Sequence, residues 1–153
     1  KLAGTERGVD EPVATFSPCF GAPFLTLPPS RYAELLAEKI DRHRPDLWLV
    51  NTGWTGGPYG IGSRIKLAYT RAMLNAALNG SLESAPVVTD PVFGFDVPRV
   101  VPGVPDGVLQ PRDTWSDHDA YDRQARDLVG KFRQNILRFA EVPAEVAAAG
   151  PQT

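Results

Sequence analysis

Residues 51–65 read Asn-Thr-Gly-Trp-Thr-Gly-Gly-Pro-Tyr-Gly-Ile-Gly-Ser-Arg-Ile, a glycine-dense loop carrying one cation, Arg64. Glycine lets backbone N–H groups approach a ligand closely. A guanidinium is a permanent forked donor for phosphate or ribose oxygens, and a helix start just beyond it adds partial positive charge. The apolar run Leu47-Trp48-Leu49-Val50 feeds the loop and a helical pattern begins near Leu67. Strand, flexible loop, cation and helix follow one another as in the anion and nucleotide sites of α/β proteins. The loop does not close on Gly-Lys-Ser/Thr and does not read Gly-x-Gly-x-x-Gly. Glycine is equally the material of ordinary turns. Taken alone, the stretch reads either as a ligand loop or as a surface connection.

The other chemically able side chains read more plainly. Cys19 has no activating neighbour and reads as a small buried residue. His43, beside Arg42 and Arg44, reads as a solvated residue completing a helix dipole. His118, between Asp117 and Asp119, reads as a surface histidine at a helix start. Thr70 and Arg71, considered by themselves, belong to an ordinary helix surface.

The elements that must position the loop follow from periodicity. Ser30 is placed to cap a helix over 31–44, with Tyr32, Leu35, Leu36 and Ile40 on one face. Pro45 stops it, and four consecutive apolar residues predict a buried strand at 47–50, flanked by that helix and a later one. Helix formers dominate from Leu67 to Asn79, and Gly80 is placed at C′. Residues 85–110 alternate valine and phenylalanine with prolines, which suits short edge strands. Ser116 and Asp119 resemble a capping box. The helix they open, over 117–140, carries Tyr121, Ala125, Leu128, Phe132, Ile136 and Phe139 on a packing face. Residues 143–149 form a last short helix. Helix, apolar strand and glycine loop in succession define an α/β layer architecture.

At 153 residues the chain supports one domain with a core. Hydrophobic content of 42% and charged content of 22% are those of an ordinary globular protein. A net charge of −2 gives no electrostatic reason to expect nucleic acid or an anionic membrane surface. No apolar run approaches the roughly 20 residues that span a bilayer. A single cysteine rules out an intrachain disulfide framework and fits a reducing compartment. The first residue is lysine and the only methionine, Met73, lies inside a helical pattern. Many proline- and glycine-rich loops also surround a small core. The expectation is a piece of something larger.

Several segments in order carry a resemblance. They are Leu2-Ala3-Gly4-Thr5-Glu6, residues 16–24 (Phe-Ser-Pro-Cys-Phe-Gly-Ala-Pro-Phe) and Leu49-Val50-Asn51-Thr52-Gly53-Trp54. Thr70-Arg71-Ala72, Leu78-Asn79-Gly80, Pro102-Gly103-Val104-Pro105, Pro111-Arg112 and Ala149-Gly150-Pro151 follow. Together they resemble the C-terminal part of ATP-dependent phosphoenolpyruvate carboxykinases over essentially the whole chain. The resemblance implies conversion of oxaloacetate and ATP to phosphoenolpyruvate, ADP and carbon dioxide, a gluconeogenic step in the cytoplasm. It implies that residues 1–153 form the later part of a C-terminal mononucleotide-binding α/β domain. The N-terminal domain, the P-loop, the manganese ligands and most oxaloacetate-binding arginines would lie upstream, in the remaining part of the same enzyme. Its cofactors would be Mg²⁺ with ATP and a second divalent ion, Mn²⁺. Aligned on Arg-Ile and the following Thr-Arg, three positions carry over as ATP-binding: Arg64 near the nucleotide, Ile65 against the adenine, and Thr70 on the adenine side. Many bacterial members have a shorter Asn-Gly-Thr-Gly-Lys after the tryptophan. Here Thr55 to Ser63 intervene, with Ser63 in place of the lysine. A free-standing nucleotide-binding or packing module without catalysis is the competing reading.

Overall fold

The computed structural model describes residues 7–8, 10, 15–16, 21–139 and 142–151. The expected burial of Cys19 falls outside them. The chain divides into two compact units, Lys1–Leu47 with Gln134–Ala148, and Trp48–Arg133 with Ala149–Thr153.

In the first unit a 3₁₀ turn at Ala22–Phe24 precedes α1, Pro29–His43. The expected cap is corrected here. Proline stands at the helix start, where its fixed φ suits the first turn and its missing N–H costs nothing. Ser30 is thus already inside the helix, and no side chain caps it. The helix ends where Arg44 turns left-handed (φ 46°, ψ 48°) and its N–H bonds the Ile40 carbonyl at 2.7 Å. Pro45 enforces the stop by disfavouring α geometry before it. Tyr32, Leu35 and Ile40 of the expected face are half-buried, and Leu36 points to solvent. The Tyr32 hydroxyl accepts the N–H groups of Thr26 and Leu27 at 3.1 and 3.3 Å, pinning the entry segment. His43 is exposed in the last turn. A short helix at Ala144–Ala148 closes this unit; we number it α5.

The second unit is built around α2, Leu67–Leu78. Ala76 is buried with Leu82, Val101, Val104 and Leu109, and Tyr69, Ala72 and Met73 pack against that cluster. Gly80 ends the helix region with φ 76°, as its position predicts. Leu67, Leu74 and Leu78 stay exposed on the same helix. It is apolar on both sides, as in helices that sit between two layers.

Two antiparallel pairs join this unit. Trp54–Thr55 (β1) pairs with Ser63–Arg64 (β2), and Val87–Thr89 (β3) pairs with Asp96–Pro98 (β4). Beyond them lie α3, Asp106–Leu109, a 3₁₀ turn at Pro111–Thr114, and α4, His118–Ile136. The cap of α4 is Asp117, whose Oδ1 accepts the Ala120 N–H at 2.9 Å, in place of the expected Ser116. A carboxylate three residues before that donor reaches it directly, and its charge suits the helix start.

The packing face of α4 holds as expected at Ala125, which is buried, and at Tyr121 and Leu128, which are half-buried, but its centre is shifted. Ala125 and Val129 are the buried residues, Val129 with 0% exposure, whereas Phe132 is 40% exposed. The helix ends at Ile136, so Phe139 lies beyond it.

The predicted strand at 47–50 does not form. The segment has no regular secondary structure and pairs with no strand among the described residues, and Leu47 and Leu49 are 67% and 81% exposed. A strand exists through its ladder, and a run of apolar residues supplies only the faces. The result is a mixture of helices and small sheets, in keeping with an α/β class.

Candidate functional site

The glycine loop is a closed hairpin. Trp54 is registered on Arg64 and Thr55 on Ser63, and the Ile65 N–H continues the ladder to the Gly53 carbonyl at 2.9 Å. Asn51 Oδ1 accepts the Gly53 N–H at 2.8 Å, an Asx turn that aims the chain into β1. At the far end the Ile61 and Gly62 N–H groups both bond the Pro58 carbonyl, at 3.0 and 2.9 Å. The Tyr59 ring stands edge-on to Trp54 with centroids 5.5 Å apart. Gly62 is obligatory for space. A Cβ there would sit 2.3 Å from the Gly57 carbonyl oxygen and 2.6 Å from that of Thr55.

The hairpin delivers Arg64 and Ile65 to the start of α2. Lys66 is the last residue before the helix and offers no side-chain cap, so the first-turn N–H groups are left without a capping side chain. Arg64 is exposed and makes no ion pair among the described residues. Ile65 is half-buried, and Thr70 is buried in the first turn of α2. The burial of Thr70 departs from the helix-surface reading of that residue taken alone. Arg64 and Ile65 thus share one hairpin end, with Thr70 one turn further along the helix.

A second set of residues holds the loop from behind. The Thr114 hydroxyl accepts the Gly56 N–H and the Thr55 hydroxyl, both at 3.0 Å, and donates to the Pro111 carbonyl at 2.7 Å. Arg112 forks onto Asp122, Nε to Oδ1 at 2.9 Å and Nη2 to Oδ2 at 3.0 Å. Its Nη1 donates to His118 Nδ1 at 3.1 Å, so the exposed His118 is not an isolated surface side chain. The Arg112 hydrogen bond holds the Asp122 carboxyl below its ordinary range. The Ala120 N–H does the same for Asp117. Burial pushes the Tyr121 hydroxyl up, where its ring meets Trp115 edge-on at 5.7 Å. A cleft of about 470 Å³ lies between the loop residues Gly56, Pro58 and Ile61 and the α4 side chains that include Arg123 and Asp127. No local pattern announced Thr114, because its loop partners are 58 and 59 positions away.

Among the described residues no three His, Cys, Asp or Glu side chains converge as a metal-ligand set. The described residues thus offer no three-ligand set for the divalent ions implied by the resemblance. No described helix is long and apolar enough to cross a membrane.

An α/β chain whose glycine hairpin ends on an arginine at a helix start is the class this geometry defines. Comparison with known proteins makes it specific. The family model for phosphoenolpyruvate carboxykinase matches residues 1–107. The phosphoenolpyruvate carboxykinase (ATP) of Thermus thermophilus is 59% identical over 154 residues, covering 100% of this chain and 29% of the relative. That of Geobacillus kaustophilus is 58% identical over 150 residues, covering 98% and 28%. A Salinibacter ruber relative of the same name is 59% identical over 152 residues, covering 99% and 28%. The chain belongs to the phosphoenolpyruvate carboxykinase (ATP) family. It spans less than a third of the length of these relatives.

Proposed function

We propose that this chain supplies the later part of the ATP site of a phosphoenolpyruvate carboxykinase. The whole enzyme converts oxaloacetate and ATP to phosphoenolpyruvate, ADP and carbon dioxide in the cytoplasm. Residues 1–153 form part of its C-terminal nucleotide-binding domain, and the remaining part of the same enzyme is the partner of this chain. The observation that carries the reading is the hairpin that ends on Arg64 and Ile65 directly before α2, with the Arg64 guanidinium unpaired among the described residues. An unpaired fork at a helix start suits nucleotide oxygens. Ile65 offers an aliphatic face to the adenine, and Thr70 a hydroxyl on the adenine side.

Phosphoryl transfer depends on positioning and charge neutralisation more than on covalent chemistry from the protein. Arg64 would contribute a fixed positive charge beside the nucleotide. Mg²⁺ with ATP and Mn²⁺ would neutralise further charge when held by residues elsewhere in the enzyme. This chain alone is therefore expected to give no turnover.

Steady-state kinetics of Arg64→Lys and Arg64→Ala in the complete enzyme test the proposal. Losing a charged hydrogen bond of about 1.5–3 kcal/mol lowers kcat/KM for ATP roughly ten- to hundredfold. Lysine keeps the charge but not the fork, so it should rescue only part of the loss. Oxaloacetate binding without nucleotide should change far less. Wild-type efficiency with ATP in both variants would remove Arg64 from the site and favour a module without a catalytic role.

A further inference from the structure

We propose that Thr114 is a positioning residue for nucleotide binding, acting through the root of the glycine hairpin. The inference rests on the reading of that hairpin as part of the ATP site. Its hydroxyl has one hydrogen to give and two lone pairs to receive, and all three are used: Pro111 takes the hydrogen, and the Gly56 N–H and Thr55 hydroxyl fill the lone pairs. The contact is partly buried on both loop bonds, so water competes poorly for it. Gly56 stands at φ 77°, and a Cβ there would lie 3.1 Å from the Thr114 carbonyl oxygen, so the two backbones are already close.

Thr114 is itself held from behind. It closes the 3₁₀ turn Pro111–Thr114, whose Arg112 is forked onto Asp122 of α4. On the loop side, Thr55 is one rung from the Trp54–Arg64 pair. A shift at Thr55 is carried through the ladder to Ser63 and then to Arg64. The hydroxyl thus ties the register of the arginine-bearing strand to α4, although Thr114 itself touches neither Arg64 nor Ile65 by any hydrogen bond described.

Thr114→Val in the complete enzyme keeps the shape and deletes all three hydrogen bonds. The KM for ATP should rise about five- to tenfold with kcat within about twofold. Hydrogen exchange at the Gly56 amide should quicken about tenfold. Thr114→Ser, which keeps the hydroxyl, should restore both values to within about twofold. Should Thr114→Val fail to fold, Arg112→Lys loses the exposed fork onto Asp122 together with the bond to His118, leaves the Thr114 hydroxyl in place, and should raise the KM for ATP about twofold. Unchanged Gly56 exchange and unchanged KM in the folded variant would overturn the inference. Faster Gly56 exchange with an unmoved KM would overturn it as well. In that second case Arg64→Ala identifies the fault: if its KM for ATP is also unmoved, the hairpin is not at the nucleotide. If only Arg64→Ala raises the KM, the site stands and Thr114 does not position it.

Discussion

The apolar segment 47–50 and the glycine hairpin that follows it are neighbours in sequence and opposites in how they are held. The first has the composition of a buried strand and lies largely open, with Leu49 81% exposed. The second has the composition of a loose loop, yet its ladder, its turn and Thr114 tie it at both ends. Composition reports what a segment can bury or bend. Order requires partners, and the hairpin finds its partners within this chain. Segment 47–50 needs a neighbouring ladder that no described residue offers.

The largest test of this contrast is Gly62→Ala. Its Cβ would overlap two backbone carbonyls inside the hairpin, and backbone atoms cannot swing aside as a flexible side chain would. An overpacking cost of about 1–3 kcal/mol is expected, read as a lower denaturant midpoint. An unchanged midpoint would mean that the hairpin closes differently.

An intermediate effect is expected from acid. The Asp122 carboxyl is depressed below its ordinary 3.8 chiefly by the Arg112 hydrogen bond. A depressed carboxylate contributes stability that is present above the unfolded value and is lost as pH falls through the folded one. The midpoints of the wild type and Asp122→Asn should therefore differ above about pH 4 and converge below it. Equal midpoints at neutral pH would show that the fork does not clamp the turn.

The smallest effect belongs to Leu49→Ala in this chain, within about 0.5 kcal/mol of the wild type, as for surface substitutions generally. The Leu49 amide should exchange rapidly. Strong protection there would restore the buried strand expected from the sequence.

What could be read from the sequence was local. Two of the three long helices announced themselves through periodicity and the third, α2, through its run of helix formers, with Gly80 placed just after it. Helix caps were less legible, because neighbouring residues compete for one position: Pro28 holds the place expected for Ser30, with Pro29 opening the helix, and Asp117 displaced Ser116. The face of α4 turned toward Val129 because periodicity gives a stripe but not its centre. The candidate residues Arg64, Ile65 and Thr70 came from the resemblance, and their types and spacing agree with it. Thr114 was out of reach, since its role depends on the fold returning to the loop after many residues.

The open tip of the hairpin has a consequence for length variation. Gly60 stands at φ 86° with nothing within 4 Å of the position a Cβ would take, whereas Gly62, two residues on, is walled in. Closing a flexible loop costs only about 0.6 kcal/mol more for each doubling of its length. Residues can therefore be inserted at Gly60, outside the ladder, while Trp54 and Arg64 keep their register, whereas the turn on the Pro58 carbonyl limits how far the tip can be shortened.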